Sequence, residues 1–356
     1  MSKRIEDYGF TSSFKKQIEE MNIDKDELVP ARVMAVHKEM YIIGYDSIEK
    51  GAKLKGSIFY NDNYNIIYPA VGDFVLIKVN PYGDDVVYNV LDRKSKFSRF
   101  DTHYQKEQMI AANFDHVFII SSLNHDFNIK RIERYLSIAW ESGANPAIVL
   151  TKSDLVEDID EFSTQIEEVA IGVPIFYISS VTGEGIDELR NYLKPRETIV
   201  FLGSSGVGKS SLVNALSGDT IMKVNDIRSD DSKGRHTTTH RQLIMLNNGT
   251  MIIDTPGMRE LSLWNIEDGL DTTFSEIEEL MTQCKFKDCK HGKEPGCAIK
   301  NALSTGILCD DRWNNYIKLQ REAKFAARKE RMNLKKKEKL HNKSKDKTSK
   351  EVYKWD

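Results

Sequence analysis

Thr198-Ile199-Val200-Phe201-Leu202-Gly203-Ser204-Ser205-Gly206-Val207-Gly208-Lys209-Ser210 is the stretch whose reading decides the fold. An apolar, β-branched run reads as a buried strand. The next eight residues fill G-x-x-x-x-G-K-S/T without a gap, and Ser210 to Leu216 reads as a helix. Strand, glycine-rich turn and helix in that order form a phosphate loop. Its glycines let backbone N–H groups turn inward, and the helix N-terminus adds partial positive charge. Gly203, Ser204, Ser205, Gly206, Val207, Gly208, Lys209, Ser210 and Ser211 are the expected phosphate-binding set. Lys209 is expected to reach the β- and γ-phosphates of a bound nucleotide, and Ser210 to ligate Mg²⁺.

Outward from the loop, Ile252-Ile253-Asp254-Thr255-Pro256-Gly257 is a strand ending in Asp-x-x-Gly. Asp254 stands where a carboxylate holds Mg²⁺, and Gly257 can offer its N–H to a γ-phosphate. Between loop and strand lies Gly234-Arg235-His236-Thr237-Thr238-Thr239-His240. One of Thr237 or Thr238 is expected to complete the Mg²⁺ shell, and Thr238 is carried forward. Guanine selectivity needs a carboxylate at a strand end, usually as Asn-Lys-x-Asp. Nothing of that kind follows Gly257. Upstream, Leu150-Thr151-Lys152-Ser153-Asp154 fits, with Thr151 in the Asn place. Asp154 would read the base edge, and the Lys152 stem would cover the ring. Ser179-Ser180-Val181-Thr182-Gly183-Glu184-Gly185 ends another strand and can offer an N–H to the base carbonyl. Thr-Lys-Ser-Asp alone is also a good helix N-cap.

Strands at His116–Ile120, Ala147–Leu150, Pro174–Ile178, Thr198–Leu202, Leu243–Leu246 and Met251–Ile253 alternate with helices at Ile129–Glu141, Ile159–Ala170, Ile186–Leu193 and Ser210–Leu216. Apolar strands between helices imply a mostly parallel α/β sheet covered on both faces. Ahead of it, five short runs read as strands: Ala31–Val36, Glu39–Ile43, Gly56–Tyr60, Phe74–Val79 and Val86–Leu91. Such spacing suggests a small closed barrel, with an OB-fold leading. Tyr41, Phe59, Tyr60 and Tyr64 are candidate platforms for stacked bases, or barrel filling. The expected chain is therefore multidomain: an N-terminal arm (1–27) with Phe14, Ile18 and Met21 as a thin apolar stripe, a barrel (28–98), a central P-loop domain (105–265), a metal-binding helical segment (271–313) and a basic helical tail (314–356).

The four cysteines all lie in the C-terminal third. Cys284-x4-Cys289-x-His291-x5-Cys297 supplies soft donors for one tetrahedral, structural Zn²⁺; Cys309 reads as core. The segment from Lys318 to Asp356 carries 15 Lys and Arg against 6 Asp and Glu, a net +9 in a chain of net −3. A basic tail on an acidic body suits a polyanionic partner. No apolar run approaches a membrane span, and the first residues have no signal-peptide pattern, so a cytoplasmic setting is expected.

The order is base motif, second base motif, phosphate loop, threonine loop, Asp-x-Pro-Gly. It resembles the circularly permuted GTPases of the RsgA (YjeQ/YloQ) family, the small ribosomal subunit biogenesis GTPases. Arg93-Lys94-Ser95, Gln108 to Asn113, Gly234 to Thr239 and the cysteine segment also look like that family's pattern. The resemblance implies an OB-fold barrel, GTP hydrolysis to GDP stimulated by the 30S subunit, and work late in 30S maturation on 16S rRNA, as a monomer. Thr151 departs from the pattern, and weaker nucleotide affinity is the expected result. Met258 stands where many GTPases place a water-orienting Gln. His236, in the threonine loop, is the candidate to orient the attacking water. A nucleotide-gated RNA-binding module and an ATPase are the competing readings. Stimulation by 30S particles and GTP/ATP competition separate them.

Overall fold

The computed structural model describes residues 3–21, 27–37, 40–56, 68–101, 106–124, 126–220, 241–254 and 266–352. The chain divides into two compact units, one of residues 1–99 with 108–261 and one of 100–107 with 262–356.

In the first unit a short 3-10 turn, Ile5–Tyr8, leads into helix α1 (Ser12–Glu20). Its expected apolar stripe is put to use. Phe14 is buried with Phe74, Leu76 and Leu91, and Ile18 and Met21 pack against them. The arm thus closes one side of the barrel.

Five strands follow: β1 (Leu28–Val36), β2 (Tyr41–Tyr45), β3 (Ile48–Leu54), β4 (Phe74–Lys78) and β5 (Asp85–Val90). Their order is β1-β2-β3-β5-β4, with β4 returning to pair with β1. All pairings are antiparallel except β3 with β5. This is a closed five-stranded barrel of the OB type. Alternating side chains of β1, β2 and β4 fill it: Ala31, Val33, Tyr41, Ile43, Tyr45, Val75 and Ile77. Tyr41 is therefore core rather than a stacking platform. Of the third expected strand only Gly56 lies within the described residues, as do none of Phe59, Tyr60 and Tyr64; the third strand of the barrel is β3. Strands β6 (Lys96–Asp101) and β7 (Lys106–Ala112) form a separate ribbon that periodicity did not suggest.

The α/β part alternates as expected: β8 (His116–Ser122), α2 (Ile129–Glu141), β9 (Asn145–Thr151), α3 (Asp160–Glu167), β10 (Ile175–Ile178), α4 (Ile186–Tyr192), β11 (Thr198–Gly203), α5 (Lys209–Ser217), β12 (Gln242–Met245) and β13 (Met251–Asp254). The sheet runs β10-β9-β8-β11-β13-β12, parallel except for β12. Phe118, Ile120, Val149, Ile178, Ile199, Leu212 and Ile252 form the core beneath its helices. One bridge, Ala35 with Gln242, joins this sheet to β1.

Barrel and α/β sheet also share a buried cation. Arg32 on β1 is 1% exposed. Its guanidinium donates to the carbonyls of Tyr8, Gly72 (3.2 Å) and Asn113 (2.7 Å), and lies 4.7 Å over the Phe74 ring. Burial lowers its pKa to about 10, still charged at neutral pH. Beside it Asp73 is held by two bonds from Arg93 at 2.8 and 2.6 Å. Gly72 must be glycine: its φ is +90°, and a Cβ would meet the Ala112 carbonyl at 2.1 Å.

In the second unit α6 (Glu267–Thr273), α7 (Ser275–Thr282) and α8 (Ala298–Thr305) precede one long helix, α9 (Asp310–Val352). The helix runs through the expected 313/314 boundary. Its first turns bury Tyr316, Leu319 and Ala323. Arg312 bonds Glu276 (2.7 Å) and the Thr273 carbonyl (2.8 Å), and Tyr316 donates to Glu278 (2.6 Å). Phe325, further along, is 71% exposed on another face, while Ala326 and Ala327 are half-buried.

Candidate nucleotide and metal sites

Strands β8, β9, β10, β11 and β13 all end at one edge of the sheet, where α/β proteins bind ligands. The expected base motifs, phosphate loop and Asp254 are the residues that follow those ends.

The phosphate loop turns between β11 and α5. Gly206 and Gly208 have φ of +79° and +95°, and Gly208 is the N-cap of α5. A side chain at either would strain the turn that points N–H groups inward. The Lys209 ammonium donates to the carbonyls of Gly203 (2.6 Å) and Ser204 (3.0 Å), which holds it across the loop. Asp254, at the end of β13, has its pKa pushed up to about 6 by burial, against the opposing pull of Lys209. Ser210 opens α5 and is half-buried. A carboxylate and a hydroxyl beside a lysine and a helix N-terminus are the donor set that Mg²⁺ with a polyphosphate uses.

Thr151 is 2% exposed, and its hydroxyl donates to the Val207 carbonyl at 2.6 Å, across 56 residues of sequence. The hydroxyl therefore ties the base motif to the phosphate loop, which the loss of an Asn amide was expected to weaken. Lys152 takes a left-handed φ of 61°, turning the chain into a 3-10 turn, Ser153–Leu155, on which Asp154 is exposed. The Ser153 hydroxyl is buried with no hydrogen-bond partner among the described residues. In the second base motif Ser179 is fully buried and its hydroxyl accepts from the N–H groups of Val181 (3.2 Å) and Thr182 (3.1 Å). Ser180 follows, half-buried. His236, Thr237, Thr238, Gly257 and Met258 lie outside the described residues.

Sequence reading missed one contact at this edge. Arg131, in the first turn of α2, donates to the Ser204 hydroxyl of the phosphate loop and pairs with Asp126 at 3.0 Å. Only the adjacency of β8 and β11, Ile120 beside Gly203, brings it there.

The second site lies in the other unit. Ligand atoms of Cys284, Cys289, His291 and Cys297 all lie within 4.8 Å of one another. His291 Nδ1 is 3.6 Å from Cys284 Sγ and 3.5 Å from Cys297 Sγ. Tetrahedral Zn–N and Zn–S bonds of ordinary length put such atoms about 3.6 Å apart, so the set fits a metal ion bound through Nδ1. Cys309 is exposed and outside the cluster, not in the core as its sequence suggested. Burial raises the Cys284 thiol, but N–H groups of Ala298 and Ile299 in the first turn of α8 outweigh this and pull it down. Trp313 on α9 sets its ring edge-on to His291 at 5.6 Å.

Residues 90–264 match the RsgA GTPase family. Residues 186–346 also match the ABC transporter family, over a range that contains the phosphate loop but not β8 to β10. The chain is 49% identical over 325 residues to small ribosomal subunit biogenesis GTPase RsgA 2 of Listeria monocytogenes, covering 91% of each chain. It is 45% identical to the RsgA of Methanosarcina acetivorans, covering 76% of this chain and 74% of that one. Among solved structures, YjeQ from Thermotoga maritima aligns with a TM-score of 0.63 at 29% identity, over 82% of this chain and 97% of that one. YloQ, a circularly permuted GTPase, aligns with a TM-score of 0.60 at 25% identity, over 85% and 98%. By these matches in sequence and fold, this chain is a GTPase of the RsgA family.

Proposed function

We propose that the protein binds the small (30S) ribosomal subunit during its late maturation and hydrolyses GTP to GDP and phosphate there, with turnover stimulated by the particle. The observation that carries this is the bond from Thr151 to Val207, which makes base reading and phosphate binding one site. GTP would sit with its base between Lys152, Ser153 and Asp154 on one side and Ser179 and Ser180 on the other. Its phosphates would lie against Gly203 to Ser211, with Gly257 at the terminal one. Mg²⁺ would be held by Ser210, Asp254 and Thr238, and supplies charge neutralisation at the phosphates. His236 would orient the attacking water in place of the side chain that Met258 lacks.

The ion at Cys284, Cys289, His291 and Cys297 is Zn²⁺ on this reading, by the softness of the donors. It would hold α8 and the loop before it and take no part in hydrolysis. Barrel, zinc module and tail are assigned as three contacts to 16S rRNA, which matches the +9 charge of residues 318–356. No helix among the described residues is long and apolar enough to cross a membrane. A monomer working in the cytoplasm fits this role. The division into arm, barrel, G domain, zinc module and tail follows the boundaries given above, except that α9 joins zinc module and tail without a break.

The test is a GTPase assay with and without 30S subunits, paired with co-sedimentation in each nucleotide state. Turnover should rise by orders of magnitude with particles, and the GTP-analogue state should pellet with them. Equal turnover in both conditions and no pelleting would rule the assignment out.

A further inference from the structure

Two cations converge on one residue of the phosphate loop. Lys209 donates to the Ser204 carbonyl at 3.0 Å, and Arg131 donates to the Ser204 hydroxyl. Lys209 belongs to the loop motif itself. Arg131 comes from another helix and is held there by several bonds. Its Nη1 reaches the Asp126 carboxylate at 3.2 and 3.0 Å, and its Nη2 reaches the Asp126 carbonyl at 2.9 Å and carboxylate at 3.2 Å. The Asn128 side chain caps the backbone N–H of Arg131 at 3.0 Å, fixing where the side chain leaves α2. A guanidinium clamped along one edge by a carboxylate, with the remaining donor aimed at a neighbour, is pre-organised and loses little entropy when it meets an anion.

Charge counting points the same way. Two cations, the N–H groups of the loop and the α5 N-terminus face this edge. Asp126 offsets one cation, and Asp254, by the argument above, is engaged with Mg²⁺. One positive charge remains, beside the N–H groups of the loop and the helix N-terminus, and that set suits an anion. A phosphoryl group being transferred gains stabilisation from such a placed arginine, and an arginine can come from the same chain.

Resting on the GTPase reading above, we propose that Arg131 is a phosphate-contacting residue that acts on the terminal phosphoryl of GTP. Ser204 is then its resting partner, and Asp126 its positioning residue. The competing account is a staple, in which Arg131 only braces the loop through Ser204.

Three variants separate the two: Arg131→Ala, Arg131→Lys and Ser204→Ala. The readouts are affinities for fluorescent GDP and for a non-hydrolysable GTP analogue, plus single-turnover hydrolysis rate, with thermal unfolding as the control for folding. A terminal-phosphate contact predicts that Arg131→Ala keeps GDP affinity within about twofold but lowers the hydrolysis rate at least about tenfold. Arg131→Lys should fall between, because a point charge replaces a fork, and Ser204→Ala, which keeps the Arg131 guanidinium, should lose clearly less of the hydrolysis rate than Arg131→Ala. The proposal is overturned if Ser204→Ala reproduces Arg131→Ala, or if Arg131→Ala weakens GDP and analogue equally while hydrolysis of bound GTP is unchanged. Wild-type protein that binds neither guanine nucleotide would overturn the functional reading, and this inference with it. Wild-type binding and turnover alongside an unaltered Arg131→Ala would overturn the inference alone.

Discussion

Thr151 and Asp254 carry the residue-scale argument. Thr151→Val keeps the shape and removes the hydroxyl, leaving the Val207 carbonyl without its bond. An unpaired buried carbonyl costs about 1–3 kcal/mol. Calorimetric titration should show GDP affinity falling by about tenfold, while Thr151→Ser retains it. The identity of residue 151 was legible in the sequence, but its role was not. The partner stands 56 positions away, and only the paired strands β8, β9 and β11 bring the two together. Asp254 was legible in place and silent in chemistry. Its folded pKa, about 6, lies above the ordinary carboxylate value of 3.8. The fold therefore penalises the charged form. As far as this group goes, nucleotide-free protein is least stable above pH 6 and regains stability as pH falls from about 6 towards 3.8. Mg²⁺-dependent nucleotide binding through that carboxylate would have the opposite sign and weaken as pH falls, because proton and ion compete for it. Asp254→Asn should accordingly raise the melting temperature of nucleotide-free protein and remove Mg²⁺-dependent GTP binding. A lowered melting temperature would show that the buried charge is compensated.

At the scale of elements, strands buried on both faces were read with little error, and so was α2, because long apolar runs between turn residues admit few alternatives. Strand β3 was missed for the converse reason. Ile48-Glu49-Lys50-Gly51-Ala52-Lys53-Leu54 buries only Ala52 fully and leaves Ile48 45% exposed, so its alternation is faint. The aromatic run from Gly56 drew the assignment in its place. Helix α1 was legible as a stripe but not as a wall of the barrel. Phe14 lies 4.5 Å from Phe74 between ring centroids. Phe14→Ala should destabilise the first unit by about 3–5 kcal/mol in urea unfolding. The second unit depends on a different bond. Its three cysteines and histidine lie on the loop before α8, and an ion bound there would add to the folding free energy of that loop and helix. Chelation should speed amide exchange in α8 and in the first turns of α9 while strands β8 and β11 stay protected. Unchanged protection in α8 after verified metal removal would refute the structural role of the ion.

For the whole molecule, the order of motifs identified the G domain, and composition marked the barrel and the metal segment. What joins barrel to G domain was not legible. Arg32 sits in a strand of ordinary pattern, and its partners Tyr8, Gly72 and Asn113 come from three distant stretches. Arg32→Met would leave three carbonyls without that donor, and a loss of at least about 3 kcal/mol is expected. Differential scanning calorimetry should then resolve the barrel and the G domain as separate transitions, where wild type melts this unit as one. Permutation bears finally on how the molecule is made. Strand β11, which stands between β8 and β13, is translated after β8, β9 and β10. At synthesis rates of ~5–20 residues per second, the interval from Thr151 to Val207 lasts roughly 3–11 s. Throughout that interval the edge of β8 that will pair with β11 is open, with Val117, Phe118, Ile119 and Ile120 along it. An open strand edge of this kind is a place where another chain can pair, so slow folding of the first half or a chaperone's cover would guard it until β11 arrives.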